Sequence, residues 1–232
     1  MELDNIKAVF FDADDTILDH KQSEKEALIY LFNKIGEEYK EEYQDIFRPL
    51  DKKLWNSVRN NSNTVPKEDI PEYRFKELFN QIGLSYSNYK KANELFQYGL
   101  SNSVALIENA YDIIKYLYDK NYKLCIVTNG LVKLQKPRIN NSEIAKYISD
   151  IIVSEEVNSG KPNPEIFNIL LNRINLKSNE VIMIGDSLEK DINGANNANI
   201  KAIWYNPKNN ENHTEIIPYY QIANLIELKE LL

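Results

Sequence analysis

The sequence predicts an α/β protein, a parallel sheet with crossover helices that is interrupted near its start by an all-helical insert. Three observations carry this. The apolar run Lys7-Ala-Val-Phe-Phe11 stops abruptly at Asp12; it is too short for a helix and suits a strand buried on both faces. Beyond residue 100, strand-length apolar runs alternate with helical patterns, as βα units require. Between these two regions residues 18–100 carry only helical periodicity.

The elements follow in order. Ala27, Leu28, Leu31, Phe32 and Ile35 recur at helical spacing among charges, predicting an amphipathic helix over 24–40. Ile46, Leu50, Leu54 and Val58 continue the pattern. After a polar stretch over 60–67 it resumes through Tyr73, Leu78 and Ile82, and 89–100 gives one further helix. The alternating part then reads helix 110–119, strand 123–127, helix 142–148, strand 151–154, helix 164–174, strand 181–184, a helix near 191–197, strand 202–205 and a final helix over 222–232. Asn163 before Pro164 reads as an N-cap followed by proline at the first helical position, where the missing amide hydrogen costs little. Pro137 is expected to kink or shorten any helix that follows Gly130. The expected division is a core of residues 1–17 with 101–232 and a helical cap of 18–100.

Composition narrows the function classes. A chain of 232 residues can bury one substantial core and a smaller accessory domain. A formal net charge of -7 disfavours a nucleic-acid duplex or an anionic membrane as the main partner, so a phosphorylated substrate would need local cations. The single Cys125 excludes an internal disulfide and a cysteine zinc cluster, and its apolar surroundings predict a buried, inert thiol. With no signal-peptide pattern and no apolar run long enough to span a bilayer, the expected location is cytoplasmic. Monomer and homodimer remain equally open.

The chemistry lies where strands end. Phe10-Phe11 stops on Asp12, Ile126-Val127 on Thr128, and Met183-Ile184-Gly185 on Asp186. In an open parallel sheet the carboxyl ends of strands share one edge, where ligands bind at the point of topological reversal. Carboxylates there are costly unless paired, so Asp12, Asp14 and Asp186 together imply a cation. A site with few protein oxygens favours Mg2+, which keeps several waters, over calcium.

At this point the residues resemble a family. Asp12-Ala-Asp-Asp-Thr16 is similar to the DxDxT first motif of the haloacid dehalogenase superfamily of phosphohydrolases. Thr128-Asn-Gly130 resembles its second motif, Lys161-Pro162 the third, and Gly185-Asp-Ser-Leu-Glu-Lys-Asp191 the fourth, in order and in strand context. Thr128 alone would read equally well as a strand-end cap and Lys161 alone as a surface lysine; their joint placement decides.

The resemblance implies a three-layer Rossmann-like core with an inserted all-helical cap that closes over a small substrate, and a magnesium-dependent phosphatase. It implies Asp12 as nucleophile, forming an aspartyl-phosphate, and Asp14 as acid/base. It further implies Thr128, Asn129 and Lys161 as phosphate-binding residues, with the contacts after Thr128 made by backbone amides. Asp12, Asp14 (through its carbonyl) and Asp186 would hold the metal, with Asp191 behind them orienting waters or Lys161.

Asp15 and Asp19 fall outside that set, and His20 and His213 read as solvated or capping residues. The phrases Phe10-Phe-Asp-Ala-Asp14 and Val127-Thr-Asn-Gly-Leu131, with Gln135 and Arg138 downstream, look most like the pyrimidine 5'-nucleotidase-like branch, whose substrates are nucleoside 5'-monophosphates. Alternatives are a phosphatase for another small metabolite (a sugar phosphate, phosphoglycolate or an acylneuraminate phosphate) and a non-catalytic binding protein on the same fold. A haloacid dehalogenase is disfavoured because Asp14 is present. The cap aromatics are expected mostly to pack its core.

Overall fold

Four consecutive buried side chains place strand β1 (Ala8–Phe11) in the middle of a sheet. The computed structural model describes residue 3, residues 5–59, residue 62 and residues 64–232. Among these, β1 is followed by β2 (Lys123–Thr128), β3 (Ile148–Val153), β4 (Val181–Gly185), β5 (Lys201–Tyr205) and β6 (Tyr220–Ile222). They form one six-stranded sheet in the order β3-β2-β1-β4-β5-β6, and every neighbouring pair is parallel.

Alternation along each strand divides the core into two faces. In register Phe10 lies between Cys125 and Met183. These three share a cluster with Ile166, Phe167, Leu170 and Leu171 of helix α8 (Pro164–Ile174). Val9, Phe11, Leu124, Ile126, Ile182 and Ile184 pack on the opposite face with Ala110, Ile113, Ile114 and Leu117 of helix α5 (Ala110–Asp119). Helices on both faces make the three-layer arrangement that a doubly buried parallel sheet demands. β1 lies between β2 and β4, so the chain leaves it in both directions; the carboxyl end of β1 is the topological switch point.

The chain divides into two compact units, Met1–His20 with Val104–Leu232, and Lys21–Ser103. The second unit is helical: α1 (His20–Ile35, less its first residue), α2 (Glu42–Arg59), α3 (Ile70–Gln81) and α4 (Tyr89–Asn102). Phe32, Phe47, Phe75, Phe79 and Phe96 are buried in it, so these aromatics serve packing, whereas Tyr98 is exposed. The Arg74 guanidinium is held there by Asp51 at 2.8 Å and Asn93 at 2.9 Å, and lies over the rings of Phe47, Phe75 and Phe96. Of the polar stretch 60–67, Asn60, Asn61 and Asn63 lie outside the described residues. Among the described residues no helix is long and apolar enough to cross a membrane.

Several elements depart from the sequence expectations. Helix α1 runs over 20–35 rather than 24–40 because Gly36, with φ +82°, turns the chain out of the helix and lets the Glu37 amide return to the Phe32 carbonyl at 3.0 Å. The helix after Gly130 is α6 (Val132–Asn140), which contains Pro137 and ends three residues after it. The expected helix over 142–148 is only a 3-10 turn at Ala145–Tyr147, since Ile148 already belongs to β3. A short apolar run does not distinguish these states. Helix α7 (Ser154–Val157) follows β3 directly. Near 191–197 the chain forms a wide π-type turn, Leu188–Ile192, before α9 (Asn193–Asn197). Of the final helix expected over 222–232, Ile222 instead ends strand β6, which pairs with β5, Leu225–Glu227 form a 3-10 turn, and only the short helix α10 (Leu228–Leu231) is α-helical.

Within the helical unit α4 approaches α1 through Gly99, where an added Cβ would lie 2.8 Å from the Ala27 Cα. Helix propensity alone would make Gly99→Ala stabilising by about 1 kcal/mol, whereas overpacking costs about 1–3 kcal/mol. Because the obstacle is backbone, the clash dominates. Gly99→Ala is expected to lower the urea midpoint, and a raised midpoint would show that the helices separate freely.

Candidate active site

Lys161 is the centre of the arrangement. Its ammonium donates to the carboxylate of Asp12 and to the Val127 carbonyl at 2.7 Å, and forms an ion pair with Asp191 Oδ1 at 2.7 Å. These come from the ends of β1 and β2 and from the turn after β4, so one buried cation joins three strand ends. The Asp12 amide also donates to the Ile184 carbonyl at 2.9 Å, which extends the β1–β4 pairing to the acid itself.

Local structure holds Lys161 in place. The Asn129 side chain donates to the Lys161 carbonyl at 2.9 Å and accepts from the Lys161 amide at 2.8 Å. The Asn129 amide group is therefore engaged with backbone, and the neighbouring Gly130 amide donates to Ser154 Oγ at 3.0 Å. Thr128 is buried at the end of β2. Asp191 reaches Lys161 from the π-type turn, with its other carboxylate oxygen accepting from the Ser187 amide at 2.9 Å. Glycine is required at 185, because a Cβ there would lie 2.5 Å from Asp191. The Asp186 carbonyl accepts from the Trp204 indole at 2.8 Å.

One carboxylate oxygen from each of Asp12, Asp186 and Asp191 lies within 4.8 Å of the others. Asp12 and Asp191 pair with Lys161, and the crowding of negative charge registers in the proton affinities of Asp12 and Asp186. Burial, with Asp191 and Asp186 nearby, pushes the Asp12 carboxyl well up despite Lys161. Burial and the Asp191 charge push Asp186 up to about 7. Burial alone would lower Lys161, but Asp12 and Asp191 outweigh it and hold the ammonium charged. Hard oxygen donors with uncompensated negative charge fit a divalent cation such as magnesium.

Asp14 lies in a different environment. Its carboxylate is not part of the three-acid cluster among the described residues. Arg138 Nη1 donates to its Oδ1 at 2.6 Å and Gln135 Nε2 to its Oδ2 at 2.7 Å, while His20 Nδ1 lies 3.3 Å from Oδ1. Burial would raise the Asp14 carboxyl, but the Arg138 guanidinium, then His20 and Gln135, hold it well below the usual carboxylate range. In return, although burial opposes it, Asp14 raises His20 above its ordinary value.

The family described as haloacid dehalogenase-like hydrolase matches residues 9–205. The chain belongs to this family. This haloacid dehalogenase-like hydrolase is 31% identical over 227 residues to the pyrimidine 5'-nucleotidase PynA of Streptococcus pneumoniae (strain ATCC BAA-255 / R6), covering 97% of this chain and 94% of PynA. It is 28% identical to the human N-acylneuraminate-9-phosphatase, covering all of this chain and 96% of that one. Its fold matches the crystal structure of the HAD-hydrolase YfnB from Bacillus subtilis bound to magnesium with a TM-score of 0.87 at 30% identity, over 98% of this chain and 99% of that one. It is a hydrolase, and its relatives place it among the phosphoric monoester hydrolases.

In this hydrolase Asp12, Lys161, Asp186 and Asp191 converge, with Thr128 and Asn129 at the end of β2 beside Lys161. His20, read from sequence as solvated or capping, is instead beside Asp14, whereas His213 is exposed near Glu211. Gln135 and Arg138 served in the sequence only as marks of a branch. Their spacing of three on a helix that follows Thr128-Asn-Gly puts both on one face, a signal that Pro137 between them obscured. Cys125 is buried and its thiol is pushed up to about 12, chiefly by burial.

Removing one partner of a buried ion pair costs about 3–5 kcal/mol. Lys161→Met is therefore expected to destabilise the hydrolase by about that much in urea unfolding with a chelator at neutral pH. The loss should shrink in an Asp12→Asn background, since one carboxylate no longer lacks its cation. Equal losses in both backgrounds would show that Lys161 and Asp12 are not coupled.

Proposed function

We propose that this hydrolase is a magnesium-dependent phosphatase for small phosphomonoesters, nucleoside 5'-monophosphates first among them, working through an aspartyl-phosphate on Asp12. The carrying observation is the clustering of Asp12, Asp186 and Asp191 at the switch point of the sheet, with Asp12 and Asp191 paired to the Lys161 ammonium. Asp12 stands at the carboxyl end of β1, where its Oδ can attack phosphorus. Lys161, already held against Asp12, offsets negative charge on the phosphoryl oxygens during transfer. Thr128 and the Asn129 backbone amide are the proposed further contacts to those oxygens. Asp14 gives a proton to the leaving oxygen and takes one from the water that releases phosphate; the carboxylate form held by Arg138 and Gln135 is the form the second step uses.

Asp12, Asp186 and the Asp14 main-chain carbonyl are proposed to hold magnesium, with Asp191 keeping Lys161 and the turn at Ser187 in place. When bound, the ion supplies the positive charge that lets an anionic ester approach a cluster of carboxylates. Residues 1–17 with 101–232 are proposed as the catalytic core and residues 18–100 as the substrate-selecting cap. The similarity to PynA over nearly the whole of both chains supports the nucleotide choice. The similarity to N-acylneuraminate-9-phosphatase favours, as a second reading, a phosphorylated sugar acid.

Phosphate release from a panel of nucleoside monophosphates, sugar phosphates and phosphoglycolate, with magnesium or with a chelator, tests this. Release is expected with magnesium, fastest on a nucleoside 5'-monophosphate, and to stop with the chelator. Asp12→Asn should lower kcat on the order of 10³-fold or more, as loss of a covalent nucleophile does, with the circular dichroism spectrum unchanged. An inert wild type across the panel would remove the phosphatase reading, and an active Asp12→Asn variant would remove the nucleophile.

A further inference from the structure

We propose that Arg138 and Gln135 are positioning residues for Asp14, fixing the orientation of the carboxyl group that moves the proton in both halves of the reaction; this rests on the phosphatase reading above. Each Asp14 oxygen has its own donor, Arg138 Nη1 on Oδ1 at 2.6 Å and Gln135 Nε2 on Oδ2 at 2.7 Å. Arg138 also donates to Gln135 Oε1 at 3.0 Å. Since a guanidinium can only donate, the Gln135 oxygen must face Arg138 and its NH2 must face Asp14. The amide orientation thus follows from chemistry, and the carboxylate plane is set by two groups that fix one another.

Their location supports a positioning role. Arg138 is 1% exposed and Gln135 5% exposed, and a guanidinium is held in such a place only with an anionic or multiply accepting partner. Both belong to α6, whose N-terminus follows the Thr128-Asn-Gly turn, with the Val132 amide capped by Glu155 at 2.7 Å. Gln135 also packs under Gly130, where a Cβ would lie 3.2 Å from its side chain. One rigid element therefore ties the orientation of Asp14 to the turn that carries Thr128. His20 approaches Asp14 Oδ1 as a third neighbour from the start of α1.

The consequence is kinetic. In the first half a bond forms from Asp12 Oδ to phosphorus. The bond from phosphorus to the leaving oxygen breaks with its electron pair on that oxygen, which takes the proton of Asp14. In the second half water oxygen bonds to phosphorus and the Asp12–phosphorus bond breaks with its pair returning to the Asp12 carboxylate. A water proton passes to Asp14, which is thereby restored. A misplaced proton-transfer group costs about 10²-fold. A p-nitrophenyl ester, whose leaving group departs as a stable anion, needs the proton only in the second half.

The test compares p-nitrophenyl phosphate with a nucleoside 5'-monophosphate in rapid-mixing experiments on the wild type, Arg138→Met, Gln135→Met and Arg138→Lys, with magnesium. Both methionine variants are expected to release p-nitrophenolate in a burst approaching one per active site, followed by a steady phase about 10–10²-fold slower than wild type. Phosphoenzyme should accumulate and be seen by mass after acid quench. On the nucleotide, kcat should fall about 10²-fold with KM little changed, and Arg138→Lys should recover part of the loss. A uniform loss on both esters without a burst, or unchanged kinetics, overturns the proposal. If Arg138→Met does not fold, Gln135→Met carries the same comparison. A wild type inactive on every ester removes the phosphatase reading and this inference with it.

Discussion

A lysine ammonium buried beside two carboxylates is the constraint on which the rest of the core depends. Removing a charge from water costs several kcal/mol even after relaxation, and only well-placed partners offset it. Lys161 has such partners because three strand ends deliver them: Asp12 after β1, the Val127 carbonyl within β2 and Asp191 in the turn after β4. The adjoining choices follow. Asn129 holds the Lys161 backbone on both sides, the π-type turn brings Asp191 inward, and Gly185 leaves room for it. The parallel sheet thus does more than bury apolar surface, for it is the frame that keeps an expensive charge satisfied.

Two aspartates separated by one residue have opposite environments. Asp12 is buried among other carboxylates and its proton affinity rises, whereas Asp14 is surrounded by donors and its proton affinity falls. Divergent environments for a pair of similar acids are what a division of labour between them needs. The division also places charge economically in a chain of net charge -7. Lys161 and a divalent cation are proposed to serve the phosphoryl side, while Arg138 is already committed to Asp14. The buried phenylalanines of the helical unit are poor candidates for selecting a substrate, because they pack against one another.

Much of this was legible in the sequence because it depends on local pattern. Doubly buried strands such as Phe10-Phe11 and Met183-Ile184 show as apolar runs whatever their neighbours. Acids placed just after such runs must lie on the shared carboxyl edge, so Asp12 and Asp186 could be brought together without coordinates. The helical unit showed in the same way, through period rather than contact. Errors fell where tertiary contact decided: the helix expected over 142–148, the edge strand β6, and the end of α1 at Gly36. Each is too short, or too dependent on one backbone angle, for periodicity to resolve.

The sequence by itself determined the α/β class, the helical insert and the set of residues at the strand ends, since burial pattern and motif order are properties of the chain. Only the tertiary structure decided which of those residues touch. That Asp191 pairs with Lys161, that the Asn129 side chain is engaged with backbone, and that Arg138 and Gln135 gather at Asp14 are all contacts across large sequence separations. Such contacts depend on how strands and helices pack in register, and an isolated stretch of sequence carries no record of that register.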